Sequence, residues 1–551
     1  MISDPLKISE TVFDVIVIGA GINGVGVARD AAMRGLIVLL LDKGDIGCGT
    51  TSWSTRLIHG GLRYLEYGEL GLVRESLRER ETLFNIAFHL VSPLPILIPL
   101  YEGQKRGPWT IRAGLMAYDL LSWGKTLPRH RMLKQAEVLR QQAALNQDGL
   151  KGAALYYDAQ VEFAERLVVE NVLSAKEHGC VVLTYAKVDK LTIHSGAARG
   201  VEGTLVNTGE VFTVKAPIVV NASGPWVDQV LAGAVNPSRR FIGGTKGSHL
   251  IVAPFNGAPS TALYIEAQSD QRPFFIIPWN DKYLIGTTDI RFQGDLDKVQ
   301  IDENEIDYLL GETNRIIPAA NLTRERILYT YSGVRPLPYT EEEDEQSITR
   351  RHFLYTHENL DGVISLVGGK LTTYRNLSEQ TVDLIFRKLG RKPPECMTAS
   401  APLPGVGARN LKTVSDRIKR IYGLSARTSE RLTRVYGSRA SDVLQTAGKA
   451  KWLLEVFDPE TDAIAAEVVF SFQNELAQTL ADCLLRRTMV GLNSTLGVGA
   501  DEAAAEIAQR CLGWSDNRAL AEVRSYRSYL KRFQIGAGAK AIYDGSTFNS
   551  I

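Results

Sequence analysis

Short apolar runs ending on glycine or a polar turn punctuate the first two-thirds of the chain: Val15 to Ile18, Ile37 to Leu41, Val181 to Ala186, Ile218 to Gly224 (IVVNASG) and Val363 to Gly369 (VISLVGG). Runs of this length predict buried strands. Between them, Val161 to His178 has the apolar period of a helix. Two further stretches, about 91 to 149 and about 239 to 345, interrupt the series; the second alternates in the manner of strands (FFIIPW, YLIGTTD). Lys392 to Gly407, KPPECMTASAPLPGVG, reads as a linker, and helical runs such as Glu475 to Val490 and Ala500 to Leu512 dominate beyond it. The pattern predicts an α/β unit assembled from 10–90, 150–238 and 346–392. A mostly β unit from 91–149 and 239–345 roofs it, and an all-helical C-terminal domain spans 408–551.

The first strand carries the strongest chemical signal. Val15 to Gly26 reads VIVIGAGINGVG, so Gly19, Gly21 and Gly24 stand as G-x-G-x-x-G between a strand and a helix. Gly19 permits the tight turn, Gly21 lets the backbone approach a pyrophosphate, and Gly24 lets the helix lie close to the strand. The helix N-terminus offers unpaired N–H donors to the anion. Asp42 ends the next apolar run, where a carboxylate accepts hydrogen bonds from an adenosine ribose. This turn binds the ADP half of a cofactor and leaves NAD and FAD both open. The further β-then-glycine junctions, Ala222 with Gly224 and Gly368 with Gly369, favour a non-contiguous flavin domain over a compact nicotinamide one.

Composition narrows the classes. The 551 residues exceed one core, and a net charge of +1 gives no global attraction to nucleic acid. Five scattered cysteines, Cys48, Cys180, Cys396, Cys483 and Cys511, lack C-x-x-C spacing, which suits a reducing compartment. The N-terminus lacks an apolar signal core, and the longest apolar stretches, such as Val91 to Leu100, are half the length of a membrane span. A cytoplasmic protein is expected. The eight histidines show no metal-binding spacing, and no G-x-S-x-G elbow is present.

Candidate chemistry gathers after Asp42. Thr50, Thr51, Ser52, Ser54 and Thr55 supply hydroxyls for pyrophosphate or a flavin ring, followed by Arg56, Leu57 and His59-Gly60-Gly61-Leu62-Arg63-Tyr64. The paired glycines let backbone press on a flat ring with the His59 imidazole at its face. Cations recur in glycine-rich settings around Lys246 and His249, at Arg335, and at Lys370, followed by Leu371 and Thr372. Converging, Arg63, Arg335 and Lys370 would hold a dianionic phosphate. Trp226 and Asp289 read as structural, and Arg486-Arg487 as a solvated helix face. Residues 103–140 interleave cations with Trp109, Met116, Leu120 and Trp123. That pattern suits either an anionic lipid surface or a core-packed helix with a charged edge.

Taken together, VIVIGAGINGVGVARDAAMRGL, TRLIHGGLRYLEYGELGLVRESLRER, NASGPW, KGSHL, IGTTD, YSGVRPL and GGKLTTYRNL resemble the FAD-dependent glycerol-3-phosphate dehydrogenase family, bacterial type, in order over about residues 14–380. The resemblance implies a glutathione-reductase-like Rossmann-type FAD domain, a β substrate domain and a helical tail. It implies oxidation of glycerol 3-phosphate to dihydroxyacetone phosphate by hydride transfer from C2 to flavin N5, with electrons passed to membrane quinone. It places substrate on Arg63, Tyr64, His249, Arg335 and Lys370. It places flavin on the glycine loop, Asp42, the Thr50 to His59 stretch, Val188 and Gly369. Asp42 stands where the family often has Glu, and Arg56 where Lys is expected. His59 is the preferred base and His249 its rival. The family context favours a peripheral enzyme on the cytoplasmic face of the inner membrane, with a homodimer as a further expectation. An oxygen-using, peroxide-forming oxidase is the nearest alternative, and a flavin-binding sensor without turnover the alternative of another class.

Overall fold

Burial on both faces turns the short apolar runs into a parallel sheet. Val15–Ile18, Val38–Leu41 and Ile218–Asn221 are buried at every position, with helices Ile22–Met33 and Ala164–Glu177 on one face and the antiparallel strands of 186–215 on the other. The computed structural model describes residues 5–234, 240–341, 348–407 and 410–535. The ends of the expected segments at 235–239, 346–347, 408–409 and 536–551 therefore lie outside the described residues.

The parallel strands run in the order Leu360–Gly368, Ile218–Asn221, Val15–Ile18, Val38–Leu41, Val181–Leu183. Antiparallel strands extend this sheet to nine. Helices Ala164–Glu177 and Tyr374–Lys388 pack against Ile22–Met33. Gly26 permits the second contact, since a Cβ there would lie 2.4 Å from the Ser378 hydroxyl and 2.8 Å from the Tyr374 ring. Three separate segments thus build one nucleotide-binding unit.

The second sheet has ten strands and forms the roof. Two of them correct the expected boundaries. Leu150–Val161 pairs along its length with Val91–Tyr101, and Leu57–Ile58 pairs with Ala159 and Gln160. Residues 150–161 therefore belong to the roof, and the chain returns to the nucleotide-binding unit only with the helix Ala164–Glu177. FFIIPW and YLIG form the antiparallel pair Pro273–Trp279 and Lys282–Gly286, as their alternation predicts.

The C-terminal domain is helical apart from a two-stranded ribbon, Val456–Asp458 with Ala463–Ile464. Ala500–Leu512 is a helix, but Glu475 to Val490 is not one helix. Leu476 takes φ +62°, Thr479 caps a single turn Leu480–Asp482, and a π-turn Cys483–Arg487 follows. The domain is fused to the roof by an apolar core that joins Trp53, Trp279 and Tyr331 to Val435, Leu484 and Phe533.

Candidate functional site

The glycine turn is shaped by contacts that leave no room for side chains. Gly19 has φ +105°, and a Cβ there would lie 2.6 Å from the Ala222 carbonyl oxygen. A Cβ on Gly24 would lie 1.8 Å from the Gly19 oxygen. Gly21 starts the helix Ile22–Met33 without a side-chain cap, so first-turn N–H groups remain for an anion. Asp42 accepts from the Ala20 and Gly44 N–H groups at 2.6 and 2.8 Å, and burial lifts its pKa. The cradle fits a dinucleotide on two further counts. Asn23 Oδ1 and Trp226 Nε1 are buried without partners among the described residues. Gly369, at φ +94°, is bare where a Cβ would lie 3.1 Å from Asn23 Nδ2.

The predicted hydroxyls mostly brace the loop. The Thr51 hydroxyl accepts from the Ile22 N–H at 3.1 Å, Thr50 donates to the Val334 carbonyl at 2.7 Å, and Ser52 donates to the Gly47 carbonyl at 2.7 Å. Gly224, at φ +61°, follows the Ile218–Asn221 strand, and Gly368, at φ +77°, ends its neighbour. Leu371 opens a 3₁₀ turn that includes buried Thr372. Val188 is half-buried on the strand Ala186–His194, opposite Gly203. Arg56 is a correction: its guanidinium, expected at the cofactor, is wholly buried on Glu165 at 2.7 and 2.8 Å and lies over the Trp279 ring. Two carboxylate oxygens inside the core compensate a fork so deeply desolvated.

His59 sits where the roof meets the nucleotide-binding unit, just after the strand Leu57–Ile58. Its N–H donates to the Thr372 hydroxyl at 3.1 Å. Lys370 Nζ donates to the carbonyls of His59 at 3.0 Å and Gly60 at 3.3 Å, and to Ser76 Oγ at 3.0 Å. Burial pushes the Lys370 pKa down to about 7. Beneath the turn, the Gly60 N–H reaches the Tyr118 hydroxyl at 2.9 Å, and Tyr118 donates to fully buried Asp158 at 2.8 Å. Arg80 completes that pair at 2.7 Å. Burial, with Lys370 and Arg80 nearby, holds the His59 imidazole well below its ordinary pKa.

His249 lies on the roof strand Thr245–Val252, 1% exposed, with Nε2 3.0 Å from the Thr55 hydroxyl. Its Nδ1 is buried without a partner among the described residues. Burial, then Arg335 and Arg56, lower its pKa. Arg335 ends the neighbouring strand. It donates to Asp289 Oδ1 at 2.9 Å, the Thr287 hydroxyl at 3.0 Å and the Thr288 carbonyl at 3.1 Å. Asp289 Oδ2 also takes Arg350 at 2.9 Å. Asp289 is therefore part of the site's frame, and Arg350 is a functional candidate absent from the motif reading. Arg350 Nη1 is buried without a partner among the described residues. Arg63, Arg335 and Arg350 all act electrostatically on the Tyr64 hydroxyl, and Lys370 lies 4.6 Å over the Tyr64 ring. Arg63, Arg335, Arg350 and Lys370 thus share Tyr64 as a neighbour. Arg350 follows an acidic run and carries no glycine motif, so its sequence context gave no signal.

The helix Pro108–Leu121 buries Ile111, Leu115 and Tyr118. Trp109, Met116 and Leu120, with Trp123 just beyond the helix, are between 58% and 82% exposed. Lys105, Arg112, Arg129 and Arg131 are exposed nearby, whereas Arg106 is paired with Glu66 and Glu266. No helix among the described residues is long and apolar enough to cross a membrane.

Comparison with known proteins matches residues 14–375 to the family described as FAD dependent oxidoreductase, and 396–519 to the C-terminal domain of alpha-glycerophosphate oxidase. A Synechocystis protein named glycerol-3-phosphate dehydrogenase is 47% identical over 96% of this chain and 98% of its own. A Brucella abortus D-erythritol 1-phosphate dehydrogenase is 39% identical over 88% and 95%. The glycerol-3-phosphate dehydrogenase from Bacillus halodurans, solved with FAD, superposes with a TM-score of 0.79 at 28% identity, covering 96% of each chain.

Proposed function

Since this chain belongs to the FAD-dependent oxidoreductase family, we propose that it oxidises glycerol 3-phosphate to dihydroxyacetone phosphate and passes the electrons to a membrane quinone. The observation that carries this reading is the meeting of Arg63, Arg335, Arg350 and Lys370 around Tyr64, beside His59. Guanidinium forks suit the oxygens of a dianionic phosphate, and a lysine adds a mobile point charge. Bound FAD supplies the two-electron acceptor for oxidation of the secondary alcohol. His59, uncharged at neutral pH because burial and the neighbouring cations lower its pKa, takes the C2 hydroxyl proton. Asp289 keeps Arg335 and Arg350 aimed at one place, which fixes the end of the substrate and so the position of C2.

The quinone and lipid part of the reading rests on the exposed face of the helix Pro108–Leu121. Aromatic and aliphatic side chains beside exposed surface cations suit an anionic bilayer interface. The decisive experiment adds glycerol 3-phosphate to the yellow protein under argon. Bleaching of the flavin supports the reading, and bleaching by a tetritol phosphate alone would move the substrate one carbon along. In air, stoichiometric peroxide would replace the dehydrogenase with an oxidase. A flavin that neither substrate bleaches would leave a binding protein.

A further inference from the structure

Arg486 and Arg487, expected on a solvated face, are 3% and 0% exposed and grip a carboxylate in the nucleotide-binding unit. Arg486 Nε donates to Asp45 Oδ2 at 2.5 Å; Arg487 donates to Oδ2 at 2.9 Å and Oδ1 at 2.8 Å. Adjacent residues of an α-helix point about 100° apart, so neighbouring side chains do not face each other. Here the π-turn Cys483–Arg487, closed by the Thr488 N–H on the Cys483 carbonyl at 2.8 Å, brings both guanidiniums onto Asp45.

Asp45 belongs to the loop that follows Asp42. That loop is tied to the glycine turn by the Gly47 N–H on the Ala20 carbonyl at 2.9 Å and by Thr51 on the Ile22 N–H. Its start is held from the same side: the Tyr185 N–H donates to the Gly44 carbonyl at 3.0 Å, and the Tyr185 hydroxyl to Asp482 at 2.7 Å. Asp482 in turn accepts from Arg486 at 2.7 Å. Two acids and two arginines balance in charge. Burial alone would raise the Asp45 pKa, but Arg487 and Arg486 hold it below the ordinary carboxylate range.

We propose that the C-terminal helical domain is a clasp on the FAD-binding loop, with Arg486 and Arg487 acting through Asp45 as positioning residues that set how slowly the chain releases FAD. A buried ion pair adds little net stability over apolar packing, but its geometry fixes one register of the groups it joins. Docking of the domain needs no such pair, because the shared apolar core already fuses it to the roof. The clasp rests on FAD binding alone and is independent of the substrate proposed above.

The test measures FAD release from the full-length holoenzyme on dilution, by the rise in flavin fluorescence, with the melting temperature alongside. Asp45→Asn and Arg487→Lys are expected to speed release by about tenfold or more, while Asp45→Glu restores most of the hold. Glu475→Gln is the control, since it breaks the buried Arg166–Glu475 pair between the same two domains while keeping the Glu475 backbone carbonyl that accepts from Arg487 Nε at 2.7 Å. It is expected to lower the melting temperature and leave release unchanged. If Asp45→Asn does not fold, Arg487→Lys, which keeps the charge, decides alone. Unchanged release in the Asp45 and Arg487 variants overturns the clasp, as does equal acceleration by Glu475→Gln.

Discussion

On the nucleotide-binding wall of the site, Lys370 does the holding: its ammonium sits on the carbonyls of His59 and Gly60 and on Ser76. On the roof wall, Arg335 is itself held, by Asp289, Thr287 and the Thr288 carbonyl. The same charge therefore has two uses. A flexible lysine stem reaches round a turn and fixes backbone, whereas a planar guanidinium is itself oriented by the acceptors around it, Thr245 included. Each wall also carries a histidine held neutral by burial, but His59 is partly accessible and His249 is sealed against Tyr331 and Thr55. In the proposed reaction the nucleotide-binding wall supplies the base, and the roof wall supplies the grip.

The histidines give the largest effect by which this division can be broken. His59→Asn is expected to slow flavin reduction by about 10²- to 10⁴-fold, the span of a lost general base, with His249→Asn within about tenfold of the native rate. Stopped-flow bleaching under argon reads both, and the reverse ranking would move the base to the roof. Next comes the grip. Arg335→Ala removes one partner of a buried, hydrogen-bonded charge pair, and a loss of roughly 10²- to 10³-fold in kcat/KM is expected. Arg335→Lys should recover only part of it, because the ammonium cannot keep Asp289 and the phosphate on two faces of one plane.

This division was only half visible in the sequence. The fingerprint at Gly19, Gly21 and Gly24 and the junctions at Gly224 and Gly369 were legible, because backbone crowding at Gly19 and Gly24 and a positive φ at Gly224 and Gly369 demand glycine. The cations Arg63, Arg335 and Lys370 stood out because each lies in a glycine-rich motif. What could not be read is partnership across the chain. Asp289 and Arg350 meet over 61 positions, and Arg56 faces Glu165 across 109. Neither separation leaves any local period or spacing. The strand Leu150–Val161 was misplaced for a related reason: an apolar run states that it is buried but not which sheet buries it.

The third test separates the two cations by pH. Because burial brings Lys370 to about 7 from its ordinary 10.5, it loses its proton as pH rises through about 7, and with it the charge that meets the phosphate. The kcat/KM profile of the native enzyme should therefore bend downward above about pH 7, by tenfold per pH unit if the ammonium is essential. Lys370→Arg should move that limb out of reach. Linkage gives the opposite sign for stability without substrate. Between about 7 and 10.5 the unfolded chain binds the proton that the native lysine has lost, so this group's contribution to stability rises with pH across that window. An unaltered alkaline limb in Lys370→Arg would confine the lysine to bracing the turn.

The smallest effect tests whether the His59 turn is braced from below as well as by Lys370. Tyr118→Phe removes the hydroxyl that joins the Gly60 N–H to Asp158, leaving that N–H on Asp158 Oδ1 at 3.3 Å and Asp158 still paired with Arg80. Two buried bonds are lost, one of them to a carboxylate. Only the Gly60 link, worth about 1 kcal/mol, bears on the turn, so flavin reduction should slow about fivefold while KM, set by the roof wall, stays within twofold. The side chain belongs to the helix Pro108–Leu121, whose outer face carries Trp109, Met116 and Leu120. Binding to anionic vesicles should then be unchanged in Tyr118→Phe and lost in Trp109→Ala combined with Leu120→Ala. A KM change in Tyr118→Phe would mean that the two walls are coupled through the turn, because a brace confined to His59 can alter how the proton leaves but not how the phosphate is held.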